Sequence, residues 1–314
     1  MDKRLCILGE CMLEVGAGNL GESKVTAGLS YGGDTLNTAV YYARLGGSVD
    51  YLTALGDDPL SDWMLDCWRA ENVGCDFVAQ RPGATPGLYL IQLDERGERS
   101  FMYWRDQSAA RQLLQDAQQI TELLNNAAQE AQLLYLSGIT LALMSAAAHQ
   151  ALFEFAASFR AKGGLIAFDS NHRPALWRDA TTAATVYEQM YGNCDIALAT
   201  ADDEYALFGG ASALDIVERL SAWGIPDIVV KDGANGCTQR FDGVTKAIPA
   251  QSVVVIDTTA AGDSFNAAYL RHRGLGQDPS ACVLAGHKLA GAVVGQKGAI
   301  IPIDAMRTDD FVAS

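Results

Sequence analysis

The sequence predicts an α/β fold with a mostly parallel central sheet. Short apolar runs rich in β-branched residues alternate with longer helical stretches along most of the 314 residues, as strands joined by crossover helices do. No internal repeat or linker divides the chain, so we expect one domain spanning residues 1–314. The predicted strands are 5–10, 50–54, 133–137, 165–169, 196–199, 228–231 and 253–256. The predicted helices include 37–45, 59–71, 145–162 and 213–223.

Two extended segments, at about 11–31 and 85–105, interrupt this alternation. Glycines punctuate them at positions 16, 18, 21, 28 and 97. We interpret the segments as a small β-sheet lid over the main sheet, which would exclude water from a site beneath it. Exposed lid strands leave apolar surface and unpaired edges, which a second subunit would cover. The sequence therefore predicts a homodimer or a larger homo-oligomer.

The composition limits the classes of partner. Hydrophobic residues make up 49% of the chain and the net charge is −15, which favours a large core and opposes binding to nucleic acid or anionic membranes. No apolar stretch is long enough to cross a bilayer, and the run at 5–8 is too short for a signal peptide. We therefore expect a cytoplasmic protein. Its seven cysteines lack a Cys-x-x-Cys pair, which indicates reduced and mostly buried thiols, and its four histidines lack zinc-ligand spacing.

The segment 253–268 suggests phosphoryl transfer. A β-branched run at 253–256 leads through small residues into a helical pattern from 264 onward, so residues 257–263 are a predicted strand-to-helix turn. Backbone amides of Ala260, Ala261 and Gly262 would face an anion at the helix N-terminus. Asp263, ionised at neutral pH on its reference pKa, could accept the proton of a hydroxyl that attacks a γ-phosphate. The alternative is that Asp263 merely complements the helix start.

A second segment, GGDTLNTA at positions 32–39, strengthens the first interpretation. Together with Gly46, Gly56 and the turn at 257–263, it resembles the two signature regions of the pfkB (ribokinase-like) carbohydrate kinase family. The resemblance extends over essentially the whole chain. It implies a ribokinase-like three-layer αβα sandwich that uses ATP and Mg²⁺ to phosphorylate a sugar hydroxyl, with Asp263 as general base.

Further segments are similar to those of family members that phosphorylate 2-keto-3-deoxygluconate to its 6-phospho form. They lie at 8–12, 86–89, 97–105 and 168–174, with Arg178 shortly after. The resemblance implies ATP and a small sugar acid as substrates. Two alternatives remain: a kinase of the same fold for another sugar, such as fructose, ribose or a related sugar acid, and a non-catalytic sugar-binding regulator.

The predicted substrate site has two ends, because a keto-deoxy sugar acid carries a carboxylate far from the accepting hydroxyl. A cation is needed opposite Asp263, and a guanidinium binds a carboxylate with a planar pair of donors. Arg105 and Arg173 are the candidates. By the family resemblance, the remaining substrate contacts are Gly33, Asp34, Asn37, Tyr89 and Tyr103. Strand aromatic residues usually just pack, and strand arginines are usually solvated, so those readings stay open for Tyr89, Tyr103 and Arg105.

The nucleotide contacts are also implied by resemblance. The turn 231–236 would lie beside the ATP phosphates and ribose, with Lys231, Gly233 and Gly236 in contact, although an ordinary Asn-Gly hairpin fits the same residues. Asn171 and the amides of residues 260–262 would bind phosphate, and Arg173 could bind either phosphate or substrate carboxylate. A helix at 285–295 would line the adenine pocket or form helical core.

The metal prediction is Asp203. Many family members carry an Asn-x-x-Glu motif that organises magnesium through water, and the corresponding positions here are Thr200 and Asp203. Magnesium keeps several waters and takes few direct carboxylates, so Asp203 could hold a metal-bound water. The neighbouring Asp202 and Glu204 could equally form a solvated helix start. The preferred sugar epimer, monovalent-ion dependence and oligomer size are not readable from the sequence.

Overall fold

The computed structural model describes residues 3–17, 26–93, 99–210 and 212–306. These ranges contain thirteen strands and eleven α-helices. The strands are β1 (Leu5–Leu8), β2 (Met12–Ala17), β3 (Ala27–Gly32), β4 (Val49–Leu55), β5 (Val78–Gln80), β6 (Gly87–Leu93), β7 (Arg99–Trp104), β8 (Leu133–Ser137), β9 (Leu165–Asp169), β10 (Ile196–Thr200), β11 (Asp227–Lys231), β12 (Cys237–Phe241) and β13 (Val244–Ile248). The helices are α1 (Asp34–Arg44), α2 (Pro59–Ala70), α3 (Ala109–Gln115), α4 (Ala117–Ala127), α5 (Gly138–Leu143), α6 (Ala146–Ala161), α7 (Ala180–Gly192), α8 (Ala201–Phe208), α9 (Ala213–Ala222), α10 (Ala261–Gly274) and α11 (Pro279–Val294).

Nine strands form the main sheet, in the order β13-β12-β11-β10-β9-β8-β1-β4-β5. All neighbours from β11 to β5 pair in parallel, whereas β12 and β13 add an antiparallel hairpin at one edge. The carboxyl ends of the parallel strands therefore meet along one edge of the sheet, which is where open α/β sheets bind ligands.

The core lies on both faces of this sheet. Successive side chains of β1 enter different clusters: Cys6 and Leu8 pack in one, Leu5 and Ile7 in the other. The first cluster includes buried residues of α3 to α9, and the second includes residues of α1, α2, α10 and α11. Because alternate residues of a strand point to opposite faces, the arrangement is helix layer, sheet, helix layer. The predicted α/β sandwich is confirmed.

The lid is a separate four-stranded sheet in the order β3-β2-β6-β7. β2 and β6 pair in parallel, while β2–β3 and β6–β7 are antiparallel. Its strands fall in the two predicted segments, with β3 running one residue further. Residues 18, 21 and 97, three of the glycines that marked the segments, lie outside the described residues. The lid exposes large apolar side chains at Leu29, Phe101, Met102, Tyr103 and Trp104.

The predicted strand at 253–256 is wrong. These residues form an unpaired, exposed segment, in which Val254 is 82% exposed. Antiparallel β12 and β13 already occupy this edge of the sheet, so the chain crosses to α10 without adding a strand. The amide of Ile256 instead donates to the Val294 carbonyl at the end of α11, at 2.8 Å. A β-branched run thus fitted a buried strand and an exposed segment equally well.

The other predicted strands and helices are present, with ends that shift by a few residues. All seven cysteines are free thiols, five of them buried, with Cys67 and Cys75 partly exposed. Of the helices in the described part of the chain, none has the length and apolar character needed to span a membrane.

Candidate active site

Asp263 lies in the first turn of α10, close to the carboxyl ends of the parallel strands. The helix begins after Ala260, which adopts a left-handed conformation with φ of 60°. For a residue other than glycine this costs about 1–2 kcal/mol, a strain typical of functional turns. First-turn amides of a helix lack intrahelical partners, although here the Ala261 amide donates to the Thr258 carbonyl at 3.3 Å. The turn thus presents Asp263 beside the positive end of the helix dipole.

The carboxylate of Asp263 is buried, with only 9% of the residue exposed. Burial, reinforced by the nearby charge of Asp34, raises its pKa to about 8. The sequence analysis expected an ionised carboxylate at neutral pH. The structure instead gives a group that gains and loses its proton near neutrality, as a general base at working pH requires.

Asn37 contacts Asp263 directly. Its Nδ2 donates to Asp263 Oδ2 at 2.8 Å, so the carboxylate is engaged by α1. The other amide atom, Asn37 Oδ1, is buried without a hydrogen-bond partner. Unpaired buried acceptors are rare because each costs roughly 1–3 kcal/mol. A ligand hydroxyl other than the one that donates to Asp263 could donate to this atom, because each hydroxyl has a single proton to donate.

Gly33 and Asp34 bring the start of α1 against two other strand ends. A Cβ on Gly33 would lie 2.4 Å from the Glu10 carbonyl oxygen, so only glycine fits. Asp34 Oδ2 accepts a hydrogen bond from Asn171 Nδ2 at 2.7 Å, and burial raises the pKa of Asp34. Asn171 has a φ of 26°, a region that Asn tolerates better than most residues. Two predicted ligand contacts, Asp34 and Asn171, are therefore joined in one place.

Lys231 lies underneath the helix turn and is already paired. Its Nζ contacts Asp169 Oδ1 and Asn266 Oδ1, each at 3.0 Å, and Asn266 Nδ2 also donates to Asp169 Oδ2 at 2.9 Å. A Cβ built on Gly262 would lie 3.6 Å from this ammonium. The structure thus places the charge of Lys231 beneath the predicted anion site and commits its hydrogen bonds to protein groups. Gly233 and Gly236 lie in the adjoining turn between β11 and β12, both with positive φ.

Arg105 follows β7 at the base of the lid. The residue is 8% exposed, and its Nε donates to Glu10 Oε2 at 2.9 Å, with Nη2 also paired to this carboxylate. Arg173 is exposed, and its Nη1 donates to the His172 carbonyl at 2.8 Å. No direct contact among the described residues joins the two arginines.

The two predicted tyrosines lie together on the lid. Their ring centroids are 5.9 Å apart, and Tyr103 also lies 6.0 Å from the Arg105 guanidinium carbon. Tyr89 donates its hydroxyl to Glu14. The sequence analysis assigned no role to Glu14 or Glu10. The available signal was positional: Glu10 comes just after β1 and Glu14 lies in the first lid segment.

The predicted metal position has one suitable carboxylate. Asp203 Oδ2 accepts from Ser170 Oγ at 3.0 Å, and burial followed by the charge of Asp169 raises the Asp203 pKa. The neighbouring Asp202 is exposed, but the solvated interpretation is wrong for Glu204, whose buried carboxylate pairs with Arg219 at 3.0 Å. The described residues contain no cluster of three or more candidate metal ligands. Magnesium binding at Asp203 therefore stays a prediction.

Helix α11 contains most of the segment 285–295, which was predicted either to line the adenine pocket or to form helical core. His287 lies 5.5 Å from the Phe265 ring, and its Nε2 is 3.1 Å from Cys237 Sγ, so part of the helix is packed against the core. Val253 of the exposed segment approaches Gly291, with 3.2 Å to a Cβ built there. The apolar segment 253–256 therefore adjoins the helix that was predicted to line a base.

Comparison with known proteins agrees with these features. The chain is 41% identical to 2-dehydro-3-deoxygluconokinase of Escherichia coli K12, over 98% of this chain and 99% of that protein. It is 42% identical to the Haemophilus influenzae protein of the same name, over 95% and 96%. Identity to Vibrio alginolyticus fructokinase is 29%, over 74% and 73%.

Solved structures show the same fold. A putative ribokinase II from E. coli superposes with a TM-score of 0.84 at 21% identity, covering 99% of both chains. Fructokinase with bound ATP from Xylella fastidiosa gives 0.83 at 23% identity, over 99% and 98%. The model of the pfkB family carbohydrate kinases matches residues 2–306. With nearly its whole length matched, and with Asp263 and Asn37 of its two signature segments in contact, the chain belongs to the pfkB family of carbohydrate kinases.

Proposed function

We propose that this protein transfers the γ-phosphoryl group of ATP to the 6-hydroxyl of 2-keto-3-deoxygluconate, also called 2-dehydro-3-deoxygluconate. The observation that carries the proposal is the buried Asp263 beside the unpaired Asn37 Oδ1 at the N-terminus of α10. Identity of 41–42% to kinases named for this substrate supports the choice of sugar acid. The buried guanidinium of Arg105 supports a carboxylate at the far end of the substrate.

Asp263 acts as the general base in this proposal. A substrate hydroxyl donates to the Asp263 carboxylate. The hydrogen bond from the Asn37 amide keeps that carboxylate in position. As the hydroxyl oxygen forms a bond to the γ-phosphorus, the bond from that phosphorus to the oxygen bridging it to the β-phosphate breaks, ADP leaves, and the hydroxyl proton moves to Asp263. The Gly262 and Ala261 amides and the α10 dipole then stabilise the negative charge on the transferring group. The strands of the lid keep water away from the reacting atoms.

Substrate binding uses both the lid and the main sheet. Tyr89 and Tyr103 contact the sugar chain from the lid, Gly33, Asp34 and Asn37 contact its hydroxyls from α1, and Arg105 binds its carboxylate. The ion pair with Glu10 leaves one side of the guanidinium for that bond. Arg173 is exposed beside Asn171, which favours a contact with phosphate over one with the substrate carboxylate.

The proposed nucleotide site lies at the carboxyl ends of β9 and β11. Asn171 and Arg173 contact phosphate, and Gly233 and Gly236 let the turn after β11 approach the nucleotide closely. Lys231 contributes its positive charge from beneath Gly262. Magnesium, with Asp203 holding one of its waters, would neutralise charge on the nucleotide phosphates. A putative ribokinase II solved in complex with ATP and Mg²⁺ has the same fold, with a TM-score of 0.83, which supports this choice of co-substrate and ion.

We also propose that two copies of the chain associate through their lids. The lid strand β7 exposes four consecutive large apolar side chains, with Trp104 58% exposed. Light scattering of the wild-type protein should give at least the mass of a dimer. Met102→Glu should lower it towards that of the monomer, whereas Leu214→Glu, at an exposed apolar position on α9, should not. A wild-type monomer at micromolar concentration contradicts this proposal.

The enzymatic proposal is tested by ADP release from Mg-ATP with a panel of acceptors. The panel contains 2-keto-3-deoxygluconate, its galactonate epimer, fructose, ribose and gluconate. Turnover confined to the keto-deoxy acids is the expected result. Turnover on a neutral sugar alone would support the assignment as a kinase but refute the carboxylate contact of Arg105. Binding of the keto-deoxy acid without any phosphoryl transfer would identify a sugar-binding regulator instead.

A further inference from the structure

Glu10, Arg105 and Ser108 form a buried polar cluster where the lid joins the main sheet. Glu10 follows β1, Arg105 follows β7, and Ser108 is the N-cap of α3. One oxygen of the Glu10 carboxylate accepts from Arg105 Nε and Nη2, and the other accepts from the Ser108 hydroxyl. The Glu10 side chain has no exposed surface. Each carboxylate oxygen is thus committed to a defined donor.

The guanidinium has two planar pairs of donors, one formed by Nε and Nη2 and the other by Nη1 and Nη2. Glu10 occupies the first pair. Within the described part of the chain, the hydrogen bonds of Arg105 use that pair alone. The second pair can bind another carboxylate bidentately, because a guanidinium accommodates two such partners on its two edges. Arg105 is therefore fixed in orientation and still able to hold an anion.

We propose that Glu10 is a positioning residue for acid recognition, which turns the free donor pair of Arg105 toward the carboxylate of the sugar acid. This inference rests on the proposed function, because it deepens the role given there to Arg105. The backbone of Glu10 lies against Gly33, so the same residue holds the start of α1 and the base of the lid. Glu10 therefore contacts both ends of the proposed substrate site, through Gly33 at the start of α1 and through Arg105 at the base of the lid.

A purely structural ion pair is the competing explanation. Burying two charges costs several kcal/mol, and an apolar pair of similar size often stabilises a fold equally well. A structural pair would affect stability and leave ligand preference unchanged. The two explanations therefore differ in one measurable quantity, the ratio of affinities for the sugar acid and for its neutral amide.

The test measures binding by calorimetry, without ATP, of 2-keto-3-deoxygluconate and 2-keto-3-deoxygluconamide to the full-length protein. Glu10→Ala should lower the acid-over-amide preference at least about tenfold, because Arg105 loses its orientation. Glu10→Gln should stay within about threefold of the wild type, since its amide oxygen can accept from Arg105 while its NH₂ donates to Ser108. The matched control is Glu71→Ala, which breaks the Arg44–Glu71 pair away from the site and should leave the preference unchanged.

Arg105→Lys provides a second variant in case Glu10→Ala does not fold. Lysine keeps the positive charge but offers no planar donor pair, so it should also lose the acid preference about tenfold or more. Retention of the preference in Glu10→Ala or in Arg105→Lys would overturn the proposal, as would an equal loss of affinity for acid and amide. A failure of the proposed function is separate, because it would appear as the absence of sugar-acid phosphorylation by the wild-type protein.

Discussion

The pH dependence of sugar-acid phosphorylation depends on the groups that perturb the pKa of Asp263. Burial raises this pKa most, Asp34 and Asp169 raise it further, and the Asn37 hydrogen bond and the charge of Lys231 lower it, to a net value of about 8. Because the base must be deprotonated, kcat/KM should rise with pH and level off above this pKa. At pH 7 most of Asp263 is then protonated, so the rate should lie well below the plateau.

Asn37→Ala removes a hydrogen bond to the ionised carboxylate. Such bonds contribute about 1.5–3 kcal/mol, and one pKa unit corresponds to about 1.4 kcal/mol, so the midpoint should move upward by about one to two units. Asp34→Asn removes a negative neighbour and should move the midpoint downward. Both variants also weaken substrate contacts, which changes the height of the profile but not the sign of its shift.

The assay is initial ADP release at limiting sugar acid and saturating Mg-ATP, between pH 5.5 and 10 in constant ionic strength. Leu214→Ala, at an exposed position on α9, serves as the control and should reproduce the wild-type midpoint. Shifts in the same direction for Asn37→Ala and Asp34→Asn would refute the assignment of the profile to Asp263. A profile that is flat across this range would refute it as well.

Three further predictions concern single residues. Asp263→Asn should reduce kcat by about 10²–10⁴-fold. Burial raises the folded-state pKa of Asp263 above its unfolded value, so the wild-type protein loses stability as the pH rises toward 8. The variant should therefore have a higher melting temperature than the wild type at pH 8, and the difference should shrink toward pH 5. Gly33→Ala should destabilise by about 1–3 kcal/mol in urea unfolding, since its Cβ would lie 2.4 Å from the Glu10 carbonyl, whereas Gly28→Ala meets no atom within 4 Å and should leave the urea midpoint nearly unchanged. Lys231→Met should destabilise the fold by about 3–5 kcal/mol in the same measurement, because the buried Asp169 keeps its hydrogen bond from Asn266 but loses its ion-pair partner; an unchanged midpoint would contradict the pairing.

Local patterns were sufficient to predict most of the fold. The strands β8 and β9 have the predicted bounds, because a short apolar run between helical stretches is a local signal. The segment 253–256 shows the limit of that signal. Its exposure depends on β12 and β13 closing the sheet edge, and nothing within the run itself encodes that.

The sequence indicated individual residues of the candidate site but not which of them contact one another. Asp263, Asn37 and Asp34 belong to two motifs that the sequence displays, although the 226 positions between Asn37 and Asp263 hide their contact. The Glu10–Arg105 pair joins residues 95 positions apart. Ionisable side chains look alike in a sequence whether they are solvated or buried, so the sequence left a solvated Glu204 open and gave no sign of the raised pKa of Asp263.

The charges of the site explain how an acidic protein can bind two anionic substrates. Arg105 and Lys231 are each paired with a buried carboxylate, and the chain carries a net charge of −15. A general positive field therefore cannot select the sugar acid. In its place we propose directional donors: the free edge of the Arg105 guanidinium, the guanidinium of Arg173 and the amides at the start of α10. Because such donors bind an anion only in a fixed orientation, recognition here depends on the residues that hold them, and Glu10 is the one that holds Arg105.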